Sequence, residues 1–103
     1  MKFILIYTTY KNTKEAKKVT DYFLKNKIIA CANFLNINSQ YKWKGKIKNS
    51  KEILVILKTR TKNWNKIKKY IEDNHSYETP CIIKLAEVEA NNSYASWIEN
   101  VTI

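Results

Sequence analysis

Backbone-breaking and chemically versatile residues are scarce in this 103-residue chain: one glycine, one proline, one histidine, one arginine and two cysteines. Each scarcity excludes something. One glycine cannot build a glycine-rich phosphate loop, which needs several positions where backbone approaches the phosphates closely. Cys31 and Cys81 stand fifty residues apart with no CxxC, a usage that favours free thiols and a reducing cytoplasm over a disulfide scaffold. Those thiols, His75 and the terminal Met1 are the only soft or borderline metal ligands. None lies at short ligand spacing, and a tetrahedral site needs about four ligands, so no zinc site is legible and only one shared between subunits stays open. There is no serine–histidine pairing and no recognisable pair of catalytic carboxylates. Arg60, the sole arginine, has no surrounding loop of the kind that cradles an acyl phosphate. An enzyme is the weakest reading.

Lysine is abundant. Lys, Asn and Ile supply 44 of the 103 residues, and the net charge is +10, part of which follows from that compositional bias. Residues 1–72 carry +14, whereas residues 73–103 set Lys84 against five carboxylates. A basic body with an acidic last third suits contacts between subunits as well as contacts with RNA. At this length the chain is one domain, 1–103, which gains from burying further surface in an oligomer. No stretch approaches the roughly 18 apolar residues of a membrane span. The run Met1–Tyr7 lacks a small-residue cleavage site and reads as a core strand rather than a signal peptide.

Periodicity assigns the elements. Lys2–Thr8 is a strand. Asn12, with Glu15 three residues on, caps a helix from about Thr13 to Lys27, with Ala16, Val19 and Phe23 along its buried stripe. Two long strands follow, Cys31–Trp43 and a second ending at Arg60, joined at Lys44-Gly45. Within the second, Ile53–Leu57 is apolar at every position, which in an antiparallel sheet means cover on both faces. Trp64, Ile67, Tyr70 and Ile71 mark a helix over Lys62–Asn74. Pro80 opens a strand Cys81–Val88, and Ser93 caps a last helix carrying Tyr94, Trp97, Ile98 and Val101. The order β-α-β-β-α-β plus a C-terminal helix is that of the ferredoxin-like split-βαβ sandwich, an α+β fold with helices on one face of a four-stranded antiparallel sheet. The bare face would present an apolar patch, and another copy of the chain is the simplest cover.

The single glycine and the single proline close two motif-like stretches, Ser39-Gln40-Tyr41-Lys42-Trp43-Lys44-Gly45-Lys46 and His75-Ser76-Tyr77-Glu78-Thr79-Pro80. With Ala30-Cys31-Ala32-Asn33 upstream and Tyr94-Ala95-Ser96-Trp97 downstream, the order resembles the CutA family of divalent-cation-tolerance proteins over nearly the whole chain. The resemblance implies a homotrimer packed sheet against sheet, with the middle hairpin reaching a neighbour. It implies copper or other divalent-cation binding, discussed at the histidine of the H-x-Y-E segment. Asn74 replaces a second histidine, and Tyr7 a cysteine, found in some members. Any site built on His75, Glu78 and Cys31 is therefore expected to be weak or intersubunit. Family members commonly place a Pro-Gly pair between positions equivalent to Asn33 and Ser39; its absence here predicts a hairpin less bent by a bulge.

The trimer is also similar to that of the PII signalling proteins, which bind ligands in clefts between subunits. Tyr41, Trp43, Glu52, Lys58, Tyr77 and Glu78 are the polar-tipped residues in the family-like segments, and such a set could hold a small anion or metabolite. Each has a plainer role. His75 suits a helix C-terminus, Cys31 a packed strand, the aromatics an interface and Lys58 an interface charge pair. The rival function is an RNA-binding module, since the RRM shares this element order. Lys44-Gly45-Lys46-Ile47 lacks its stacking aromatics, and Ile53–Leu57 makes a poor base platform. The reading is a cytoplasmic, non-enzymatic homotrimer with weak Cu²⁺ or small-ligand binding, no organic cofactor, no nucleic acid and no membrane.

Overall fold

Alternation of β-branched and aromatic residues places strand β1 (Phe3–Tyr10) at the centre of the sheet. The computed structural model describes residues 2–103; Met1, where the apolar N-terminal run begins, lies outside the described residues. β1 pairs antiparallel with β3 (Lys46–Arg60), from Phe3↔Arg60 to Tyr10↔Ile53. On its other side it pairs antiparallel with β4 (Ile82–Leu85). β2 (Cys31–Trp43) pairs with β3, giving the order β2-β3-β1-β4. Helices α1 (Thr13–Lys25) and α2 (Trp64–Asn74) and a C-terminal α3 (Asn92–Val101) complete the expected element order. No helix among the described residues is long and apolar enough to cross a membrane.

The inner face of the sheet holds the main core. Ile4, Ile6 and Tyr10 of β1 and Ile53, Val55 and Leu57 of β3 meet Ala16, Val19 and Phe23 of α1 and Ile67 and Ile71 of α2. Asn12 caps α1 as its position predicts, its Oδ1 accepting the Glu15 N–H at 2.8 Å. The reciprocal half of the capping box is not made, because the Glu15 carboxylate turns to Ser76. α1 also stops at Lys25 rather than Lys27. Lys27 adopts φ 57°, and Ile28 N–H and Lys27 N–H donate to Phe23 O and Leu24 O, a Schellman ending.

α3 departs from the expectation that the helices share one face. Tyr94, Ile98 and Val101 pack on Phe3, Leu5 and Ala30, and Phe3 and Leu5 have the opposite strand parity to Ile4 and Ile6. α3 therefore covers one end of the outer face, and the rest lies open. Leu35, Ile83 and Leu85 are exposed there, with Tyr7, Ile37 and Ile56 half-buried beside them. Asn91, not Ser93, precedes the first turn of α3, with its Nδ2 donating to Ser93 Oγ. β4 is also shorter than Cys81–Val88, and Glu87 at φ 59° leaves extended geometry shortly after it.

The β2–β3 hairpin keeps one register from Cys31↔Lys58 to Trp43↔Lys46, without an extra residue on either strand. This agrees with the missing Pro-Gly pair. Lys44 (φ 51°) and Gly45 (φ 80°) form the two-residue turn, whose positive angles match the twist of the flanking strands. At the opposite end of the sheet a buried amide ties three segments together. Asn63 Nδ2 donates to Ile28 O at 2.9 Å, to Thr59 Oγ1 at 3.2 Å and to Ile103 O at 3.2 Å. Asn63→Ala should lower unfolding free energy by about 1–3 kcal/mol, because buried acceptors lose their donor. Urea unfolding at fixed protein concentration reads this as a lower midpoint; an unchanged midpoint contradicts the assignment.

Candidate functional site

Where α2 ends, the chain is fastened to β1 through its only histidine. His75 has extended backbone and a side chain with no solvent exposure. Its Nδ1 accepts the Tyr77 N–H at 3.0 Å, so the ring proton resides on Nε2, which donates to Thr9 O at 2.7 Å. The ring stacks on Tyr10 with centroids 4.7 Å apart. Beside it the Glu15 carboxylate accepts Ser76 N–H at 3.0 Å and Ser76 O–H at 2.8 Å. These bonds set the path of the segment that follows.

That path delivers Tyr77 to the outer face of the sheet, where its hydroxyl donates to Glu52 Oε1 at 2.9 Å. Across the hairpin, Tyr41 leans back from its register partner Lys48 so that its hydroxyl lies 3.1 Å from Ser50 Oγ. The result is a cleft of about 480 Å³ lined by Tyr41, Trp43, Glu52, Tyr77 and Glu78, five of the six ligand-binding candidates named from the sequence. Lys58 is not among them. It lies six residues further along β3, roughly 20 Å at the usual strand rise, with Nζ 5.3 Å from the Tyr94 ring centroid. Thr9, Ser76, Thr79 and Cys81 also line the cleft and were not singled out. Cys81 follows directly on Pro80 and could have been included on adjacency; nothing in the sequence marks Thr9.

The metal set fares differently. His75 has both ring nitrogens engaged within the subunit, Glu78 lines the cleft, and Cys31 pairs with Lys58 near the other end of the sheet. The three are not brought together, and no three His, Cys, Asp or Glu side chains converge as a metal site among the described residues. Within this chain His75 acts as a structural junction between β1 and the loop after α2. Arg60 is likewise committed, bonding Thr102 Oγ1 through Nε at 2.9 Å and the Glu99 carbonyl through its guanidinium.

Burial governs the local ionisation. It pushes Tyr10, whose hydroxyl has no hydrogen-bond partner among the described residues, up to about 12. Burial, then the bond to the Glu52 carboxylate, raises Tyr77 well above the ordinary tyrosine range. The Cys81 thiol is raised by burial and then by Glu52, which disfavours the thiolate a nucleophile needs.

The chain is thus a ferredoxin-like domain with an acidic, aromatic cleft beside an open sheet face. The sequence profile described as CutA1 divalent ion tolerance protein matches residues 4–101, and the chain belongs to that family. It is 39% identical over 95 residues to the divalent-cation tolerance protein CutA of Pyrococcus horikoshii, covering 92% of this chain and 93% of that one. It is also similar to the structure of the periplasmic divalent cation tolerance protein CutA from Archaeoglobus fulgidus, at 30% identity, TM-score 0.92 and coverage of 96% and 97%. A relative in Arabidopsis thaliana, Protein CutA, chloroplastic, is 32% identical over 100 residues, covering 96% of this chain and 55% of the relative. These descriptions overturn the cytoplasmic assignment. Unpaired thiols report on oxidation, and relatives with this fold are described from a chloroplast and a periplasm.

Ultraviolet titration should show Tyr10 ionising near 12 and Tyr77 also late, each step removed by the matching Tyr→Phe change. Because the folded values lie above the unfolded value of 10, stability from these groups is intact below pH 10 and falls as pH climbs through the folded values. Two tyrosines titrating together with the unfolded chain near 10 would contradict their burial.

Proposed function

We propose that this protein is a non-enzymatic homotrimer serving divalent-cation tolerance, copper included, through weak binding of a cation or small ligand at the Glu52–Tyr77 cleft. The observation that carries the reading is that cleft, in which the two family-like stretches meet although some thirty residues separate them in sequence. A metal reaching it would find Glu52 and Glu78, and no three His, Cys, Asp or Glu side chains converge there among the described residues, which accords with weak binding.

The trimer is supported by the open outer face. Leu35, Ile83 and Leu85 form an apolar surface with Tyr7 and Ile56, and soluble monomers seldom leave such a surface uncovered. The non-enzymatic reading is supported by the commitment of the histidine and arginine to structural bonds and by the raised Cys81 thiol. RNA binding is disfavoured: beyond α3, the outward residues of β1 and β3 include one aromatic, Tyr7, among Leu54, Ile56 and Glu52, and base stacking needs more.

Ile56→Lys should dissociate the assembly, read by native mass spectrometry as loss of the three-subunit mass; a trimer that survives it removes the sheet face as the interface. In Cu²⁺ titrations of the intact protein, Glu52→Gln should weaken uptake at least severalfold, while Lys58→Ala leaves it within about twofold. Equal uptake by the wild type and Glu52→Gln contradicts the cleft as the cation site.

A further inference from the structure

The charge of the cleft opposes the charge of the protein. Nineteen Lys and Arg side chains stand against nine carboxylates in the chain, yet no lysine or arginine lines this cleft among the described residues, while Glu52 and Glu78 do. The walls are the rings of Tyr41, Trp43 and Tyr77. Glu52 is 91% buried, being only 9% exposed. Its Oε1 is taken by the Tyr77 hydroxyl at 2.9 Å, and its Oε2 has no hydrogen-bond partner among the described residues. The second carboxylate oxygen therefore keeps acceptor capacity for a donor that enters the cleft.

From the geometry we infer that the cleft selects an organic ammonium ion: an R–NH₃⁺ group donating to Glu52, its carbon skeleton against the Trp43 and Tyr41 rings. Three observations separate this from other ligands. An anion, which the sequence alone left open, would meet two carboxylates and no fixed cation, since Lys58 is elsewhere. A divalent cation, with no trio of ligands converging among the described residues, is held there only weakly, as proposed above. An ammonium needs one strong acceptor and gains from aromatic faces, tryptophan above all. Trp43 already attracts such a group, for Lys44 Nζ lies 5.9 Å from its ring centroid, and the cleft volume of about 480 Å³ accepts a small amine with its substituent.

The inference rests on the cleft being the ligand site, and the test separates the two ideas. Phenethylammonium, 2-phenylethanol and 3-phenylpropionate share a phenyl-ethyl body and differ in charge. Each is titrated into the intact protein at about 0.15 M salt, where screening limits the general attraction of a +10 surface for anions. Binding is read from the Trp43 indole N–H resonance, assigned by its loss in Trp43→Phe. The ammonium should bind about tenfold more tightly than the alcohol, as expected for a charge-assisted hydrogen bond over a neutral one, and the carboxylate most weakly.

Glu52→Gln keeps an acceptor for Tyr77 and should erase the ammonium's advantage without weakening the alcohol. Lys44→Ala, outside the lining, should not weaken binding. Equal affinities, or a preference for the carboxylate, overturn the ammonium inference and leave the cleft as a ligand site. If no probe shifts Trp43 and Cu²⁺ uptake is also indifferent to Glu52→Gln, both the inference and the cleft reading fall. If Glu52→Gln does not fold, the order of the three probes on the wild type still decides the charge preference.

Discussion

The constraint on which this structure turns is that its two central strands are apolar on both faces while the long helices cover only one. α1 and α2 bury Ile4, Ile6, Ile53, Val55 and Leu57. The opposite parity presents Ile56 with Tyr7, beside Leu35 and Ile83, and α3 reaches only the end marked by Phe3 and Leu5. Covering apolar area contributes roughly 25 cal/mol per Å², so apolar side chains left open on this face favour association. The extended hairpin follows the same logic. Much of β2 beyond Ala32 is exposed in the single subunit, and the molecule is 45 Å along its longest axis.

The cleft depends on a second, smaller device. A loop leaving a helix has many available paths, and here one imidazole chooses among them by donating to a β1 carbonyl and accepting from its own loop. Glu15 holds the neighbouring serine. With those bonds made, Tyr77 reaches Glu52, and the segment is fastened to the sheet at three points by bonds within the chain. Preorganisation of this kind lowers the entropic cost of binding. The only histidine thereby has both ring nitrogens engaged in shaping the site.

Much of this was legible in the sequence, and the failures have physical reasons. Apolar periodicity and the Lys44-Gly45 turn located every strand and helix, because each is a local signal tied to backbone geometry. The ends were less secure: α1 stops early because Lys27 takes a left-handed angle that a lysine does not advertise. Tyr41, Trp43, Glu52, Tyr77 and Glu78 were found as a group because they lie in the two stretches closed by the only glycine and proline. Lys58 lies apart from them in this chain, because alternation gives the face of a strand but not which end of it a cleft occupies. The bonding of His75 was hidden because its partner is a backbone carbonyl 66 residues away. The side of the sheet that α3 takes was hidden as well, since an amphipathic helix after the last strand can close on either face.

Copies of this chain are the proposed cover for the open face of the sheet. Sedimentation equilibrium of the unmodified protein across a wide concentration range tests it most directly. One species of three times the 12.2 kDa chain mass is expected, persisting on dilution. A single 12.2 kDa species throughout would contradict it and leave the apolar face without its cover.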